Sequence, residues 1–126
     1  MFAVIRRYNV HEGQTRRMLQ RVNAEFAPLM SRIRGFVAYY AIDGGDNTVA
    51  TVSVFTDRTG AEDSNRIAAD WVAQNIARMV RTAPVIVMGD VGASVTMAEL
   101  RQARADVPSL ADTGATPAVP RPEARR

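Results

Sequence analysis

With 126 residues, 47% apolar and 23% charged, the chain has room for one domain with one core and an ordinary globular composition. Cysteine is absent, which excludes disulfides, thiol nucleophiles and thiolate metal sites, and the single His11 excludes a multi-histidine metal site on one chain. The net charge of +3 is carried by arginine alone and is dispersed: residues 1–95 hold eleven Arg against nine Asp or Glu, so no basic stripe argues for nucleic acid.

No apolar run approaches the roughly 18 residues that cross a bilayer. The opening Met1-Phe2-Ala3-Val4-Ile5 turns charged at Arg6 and Arg7, too short an apolar stretch for a secretory signal. A cytoplasmic protein with no membrane partner is expected.

Phe2 to Val10 is rich in β-prone residues and reads as the first strand. From about Gln14 the spacing changes: Met18, Val22, Phe26 and Leu29 fall on one helical face, and Pro28 is expected to kink or end that helix. Ser31 to Gly35 connects to a second strand from about Phe36 to Ile42. Asp43-Gly44-Gly45-Asp46-Asn47 is dense in turn formers and closes a hairpin to a third strand from about Thr48 to Phe55. Thr59 with Glu62 makes a capping-box pattern, with Asp57 as a rival cap. The second helix is expected to run to about Val80 with a stripe of Ala61, Asn65, Ala68, Val72, Ile76 and Met79. Pro84 opens a fourth strand from Val85 to about Val91, with room to continue to Val95.

This β-α-β-β-α-β order predicts an α+β, ferredoxin-like sandwich over residues 1–95, with helices on one face of an antiparallel sheet. Four strands of about six residues cover roughly 400 Å² per face. The strands do not alternate apolar and polar residues as a sheet with one wet face should. Phe36, Ala38, Tyr40 and Ile42 point one way and Val37, Tyr39 and Ala41 the other, while the fourth strand is apolar on both sides. A patch of that size normally finds a partner. Sheet-to-sheet pairing of two copies into a homodimer with a barrel-like centre is the expected outcome.

Residues 96–126 divide in two. Thr96 with Glu99 is a second capping box, flanked by the Val95–Leu100 staple, and predicts a short helix from Met97 to about Ala105. Beyond Asp106 the proline-rich, small and polar composition predicts a disordered tail.

Asn65 is the most informative residue. It falls within about 20° of the centre of the second helix's stripe. A buried amide costs roughly 1–3 kcal/mol if unpaired, so either a ligand oxygen or a backbone or water partner must satisfy it. Trp71 flanks the same stripe, as a pocket wall or a core filler. Tyr39 and Tyr40 must face opposite sides of the sheet, so at most one lines a given cavity, and Tyr8 offers a further phenol. Arg6 and Arg7 likewise oppose each other; one of them is placed to pair a ligand carboxylate, or both are strand-end surface arginines. His11 sits at a turn and cannot serve a Ser–His–carboxylate set. Asp43 and Asp46 share a hairpin tip, where turn formation rather than metal binding is expected, and Gly44-Gly45 lacks the glycine pattern of a phosphate loop.

The opening Val4-Ile5-Arg6-Arg7-Tyr8, the Ile33-Arg34-Gly35-Phe36-Val37-Ala38-Tyr39-Tyr40 entry to the second strand, Ser53-Val54-Phe55-Thr56-Asp57-Arg58 leading into Ala61-Glu62-Asp63-Ser64-Asn65, and Ala68-Ala69-Asp70-Trp71-Val72 resemble the antibiotic-biosynthesis-monooxygenase superfamily over about residues 1–95. The resemblance implies a dimeric α+β barrel with a pocket between each sheet and its helices. It also implies, for some members, cofactor-free oxidation of phenols to quinones. On that analogy Asn65 and Trp71 are catalytic, positioning and polarising an ionised phenol, and Tyr8, Tyr39, Tyr40 and Arg6 contact a small aromatic substrate, with no cofactor and no metal. Haem-degrading members are a poorer match, since the second helix carries no histidine. Two alternatives stand beside this: a non-catalytic barrel that binds a small ligand or dimerises, and an RNA-recognition fold. Arg34-Gly35-Phe36 mimics part of the latter's motif, but Val37 and Ala38 break it and it lies on the wrong strand.

Overall fold

The computed structural model describes residues 1–106; the expected disordered tail lies outside them. The described chain falls into two units, Met1–Gly92 and one that starts at Ala93. In the first unit, β1 (Phe2–Asn9) leads into α1 (Thr15–Arg21), a π-helical turn (Val22–Phe26) and α2 (Ala27–Ser31). β2 (Phe36–Gly45) and β3 (Thr48–Phe55) follow, then α3 (Arg58–Asn75), a 3₁₀ turn (Ala77–Met79) and β4 (Val85–Asp90). The strands lie in the order β2-β3-β1-β4, every neighbouring pair antiparallel. This is the ferredoxin-like α+β arrangement expected from the element order.

β1 alternates without a fault. Phe2, Val4, Arg6 and Tyr8 are buried under the helices, while Ile5, Arg7 and Asn9 are exposed. β3 does the same with Val49, Thr51, Ser53 and Phe55. The core forms between these residues and Met18, Val22, Phe26, Met30, Ala61, Ala68, Trp71 and Ile76. The opposite face of the sheet carries Ile5, Tyr40, Ile42, Val85 and Val87, all more than 40% exposed. It is the greasy outer surface that the sequence led us to expect.

Several details refine the expectation or depart from it. Of the two outcomes expected at Pro28, the helix is disturbed and not ended: the turn before it opens to π geometry, with Ala27 N–H bonded to the Val22 carbonyl, and α2 continues to Ser31. The wider turn holds an extra residue, so the buried positions run 18, 22, 26, 30, and Met30 rather than Leu29 reaches the core. β2 extends through Gly45, and the hairpin closes on Asp46 and Asn47 alone, with φ of 50° and 60° as a type I′ turn requires. β2 also carries register shifts between Phe36 and Ala38 and between Asp43 and Gly45. α3 is capped by Asp57, whose side chain accepts from Gly60 N–H at 3.2 Å, and not by Thr59. α3 stops at Asn75 rather than near Val80, whereas β4 ends at Asp90, next to the expected Val91 and without the continuation to Val95.

Gly60 lets α3 start close against the sheet: a Cβ there would lie 2.8 Å from the Arg34 carbonyl and 3.0 Å from the Phe55 ring. In the second unit, α4 (Met97–Asp106) begins as its capping pattern predicts, Thr96 Oγ1 accepting from Glu99 N–H at 2.9 Å.

Candidate active site

The site is built around Arg6. Mid-strand on β1 and inward by alternation, its side chain is 1% exposed, which corrects the expectation of a surface arginine at a strand end. Its guanidinium donates from Nη2 to Ser64 Oγ and Asn65 Oδ1, both at 2.8 Å, and from Nη1 to Ser53 Oγ at 3.3 Å. Nε is buried without a partner. Among the described residues, no carboxylate forms an ion pair with it. Burial depresses its pKa, and Tyr8 and Tyr39 act weakly against that; an arginine nonetheless stays charged.

α3 is turned from its expected orientation. Ala61, Ser64, Ala68 and Trp71 form its buried face, so Trp71 sits in the stripe and Asn65 on its half-buried flank, the reverse of the sequence expectation. The two polar residues account for the rotation, because Ser64 and Asn65 both turn their oxygens to Arg6. Ser64 is fully satisfied, since its hydroxyl donates to the Ala61 carbonyl at 2.6 Å while accepting from Arg6. Arginine has no acceptor, so the Asn65 amide must face it with Oδ1. Nδ2 is thereby aimed the other way, where it meets the thioether of Met88 on β4 at 3.1 Å.

Between β1, α3 and β4 lies a cavity of about 210 Å³ lined by Arg6, Tyr8, Asn65, Ala68, Val72 and Ile86, among others. Its polar side chains are those of Arg6, Tyr8 and Asn65; the rest is alanine, valine, isoleucine and proline. That volume suits a small aromatic molecule, since an apolar cavity of about 150 Å³ already accepts benzene. A second void, about 10 Å³, lies deeper between Tyr8, Phe26, Tyr39, Thr51, Trp71 and Val72. Tyr8 and Val72 form the wall common to both.

Trp71 belongs to the deeper void, packed on Phe26 with ring centroids 5.2 Å apart. Its backbone carbonyl holds Asn75, and Arg21 reaches across from α1 to the Asn75 carbonyl at 2.8 Å, tying α1 to the end of α3. Tyr39 faces inward against the edge of Phe26, whereas Tyr40 is 62% exposed on the outer face and lines neither cavity. Burial raises the pKa of Tyr8, with Arg6 opposing. Burial, and secondarily Tyr8, holds Tyr39 far above the ordinary phenol value. Tyr39 Oη and Thr51 Oγ1 are both buried and neither completes a hydrogen bond; Thr51 stands close enough to influence the phenol's acidity, but not in bonding geometry.

Of the residues singled out from the sequence, the structure thus brings Arg6, Tyr8 and Asn65 to one cavity, Tyr39 and Trp71 to the void behind it, and leaves Tyr40 outside. Sequence reasoning missed Ser53, Ser64 and Met88. The inward set Phe2, Val4, Arg6, Tyr8 and Val10 is bulkier than the outward set, and that asymmetry marks Arg6 as buried and in need of oxygens. Among the described residues no cluster of three His, Asp or Glu side chains is placed to hold a metal, and no helix is long and apolar enough to cross a membrane.

No family model and no curated protein matches the sequence. Solved structures do. A protein of unknown function from Nitrosomonas europaea, NE2512, superposes with a TM-score of 0.65 at 25% identity, over 75% of this chain and 92% of that one. SnoaB from Streptomyces nogalater, a cofactor-independent oxygenase, gives 0.59 at 16% identity over 75% and 95%. A second Nitrosomonas europaea protein, classed with the antibiotic biosynthesis monooxygenases, gives 0.61 at 13% identity over 74% and 100%. With its β2-β3-β1-β4 sheet and helices on one face, the chain has the fold of the antibiotic-biosynthesis-monooxygenase superfamily.

Proposed function

We propose that the chain is a homodimeric, cofactor-independent monooxygenase acting on a small phenolic or quinol-type substrate in the cavity beneath α3. The observation that carries this is a cavity lined by the Asn65 amide, the Tyr8 phenol and the Arg6 cation and otherwise by apolar side chains, with Asn65 Oδ1 held by Arg6 at 2.8 Å. An aromatic ring would pack on the apolar side chains and its oxygen would meet the polar ones. Such a substrate, once ionised, reduces oxygen itself: the ring carbon para to the ionised oxygen takes one oxygen atom and becomes a carbonyl, and the other atom leaves as water with the hydrogen of that carbon and the proton of the phenol. The protein's part is to hold the ionised oxygen through Asn65 and to keep water from the apolar lining. Trp71 supports the wall from behind through Tyr8 and Val72.

Oxygen uptake with simple hydroquinones and anthrones tests the proposal. Asn65→Ala is expected to lower turnover roughly a hundredfold, the usual loss for one oxyanion donor. Trp71→Phe, acting at one remove, is expected to lower it less. No uptake by the wild type, or uptake that ignores both substitutions, rejects the assignment.

A second reading, binding without turnover, is favoured by one observation. Tyr8 is the titratable phenol on the cavity wall, and burial raises its pKa, so near neutrality it stays protonated and cannot accept the substrate's proton. Ligand binding in the absence of oxygen uptake would select it. Dimerisation is supported in either case by the exposed apolar side chains Ile5, Tyr40, Ile42, Val85 and Val87 gathered on the outer face.

A further inference from the structure

The balance of charge beneath α3 is incomplete. Arg6 is a buried cation, and every oxygen bonded to it is neutral: two serine hydroxyls and an asparagine carbonyl. The groups facing it from each surrounding element are Tyr8 on β1, Tyr39 on β2, Thr51 and Ser53 on β3, Ser64 and Asn65 on α3, and Met88 and Ile86 on β4. The two that titrate, Tyr8 and Tyr39, are both pushed above the ordinary phenol value by burial, so neither supplies a negative charge near neutrality. A buried charge without a counter-charge is unfavourable. Of the five guanidinium N–H groups three are engaged, and Nε is left bare.

The Asn65 amide transmits this charge to the cavity. Arg6 fixes Oδ1, so Nδ2 is turned away from the cation toward Met88 on β4, its hydrogens polarised by the charge behind it, on a side chain that lines the cavity. Its present acceptor is a thioether, among the weakest in a protein, and an ionised oxygen would displace it.

We propose that Arg6 and Asn65 together make this cavity an anion receptor, which takes a small aromatic ligand as its oxyanion, bonded to Asn65 Nδ2, with Arg6 as the positioning residue that orients the amide and supplies the counter-charge. The inference rests on the reading of the cavity as the substrate site and adds to it the residue that orients the Asn65 amide and supplies the counter-charge. On binding, the proton of a phenol goes to solvent.

The test is a titration of para-nitrophenol, whose ionised form is yellow, in the presence of excess full-length protein. The bound dye is expected to ionise about one pH unit below the free dye, a tenfold preference for the anion. Arg6→Met, which replaces the charge with an apolar chain of similar reach, should abolish the shift while leaving binding of neutral nitrobenzene in place. Asn65→Asp keeps an oxygen on Arg6 but adds the missing negative charge, so it should keep the fold and also abolish the shift. Dye that binds without a change in its ionisation, or a shift that survives both substitutions, overturns the receptor. Failure of dye and nitrobenzene alike to bind overturns both the receptor and the substrate site. A shift that behaves as expected in a protein that takes up no oxygen upholds the receptor and removes only the oxygenase.

Discussion

Tyr39 shows what burial does to a single group. Its phenol is enclosed, leans on Phe26 and has no completed hydrogen bond, so the neutral form is strongly favoured in the folded protein. Folding therefore gains from Tyr39, and to a lesser extent Tyr8, at any pH below the ordinary tyrosine value of about 10. Above that value the unfolded chain loses these protons while the folded one keeps them, and stability falls as pH rises toward the folded-state values. Urea midpoints are expected to decline from about pH 10 upward in the wild type and to decline less steeply in Tyr39→Phe. Equal slopes would mean that the phenol is more hydrated than its surroundings imply. At this scale the sequence was only partly legible. Asn65 stood out because an amide among alanines and valines needs a reason, but its partner did not, because a charged residue on a short strand is ordinarily wet.

The helices show how local rules compete. Both Asp57 and Thr59 satisfy the preference for a short polar cap, and the geometry chose Asp57 because Gly60 brings the first turn of α3 tight against Arg34 and Phe55. Asp57→Ala is expected to cost about 1 kcal/mol in denaturant unfolding and Thr59→Ala only a few tenths; the reverse order would reassign the cap. Pro28 was legible as a disturbance but not as the kind of disturbance. A missing donor is tolerated here because the π turn ahead of it, closed by Ala27 N–H on the Val22 carbonyl, has already stepped out of the usual bonding pattern. The rotation of α3 was illegible for a related reason. Side-chain hydropathy sees Ser64 and Asn65 as equally polar, and only the buried guanidinium decides that both turn toward the sheet.

For the whole molecule, element order and outer-face composition were the most legible features, since both follow from spacing and alternation repeated over many residues. The face bearing Ile5, Tyr40, Ile42, Val85 and Val87 has a direct test. Val87→Glu places a charge on this face, on the edge strand β4, and leaves the core untouched, so light scattering is expected to report a dimer for the wild type and a monomer for the variant. A monomeric wild type would remove the pairing. One residue governs how the two faces share their tyrosines. Between Asp43 and Gly45, β2 takes two steps while β3 takes one, so that Tyr39 stands opposite Ser53. Without that additional step Tyr40 would stand there instead, and every side chain from Ile42 back to Ala38 would change sides. Gly44 thus works as a parity switch for the hairpin, deciding which aromatic ring the interior receives and which is offered to a neighbour.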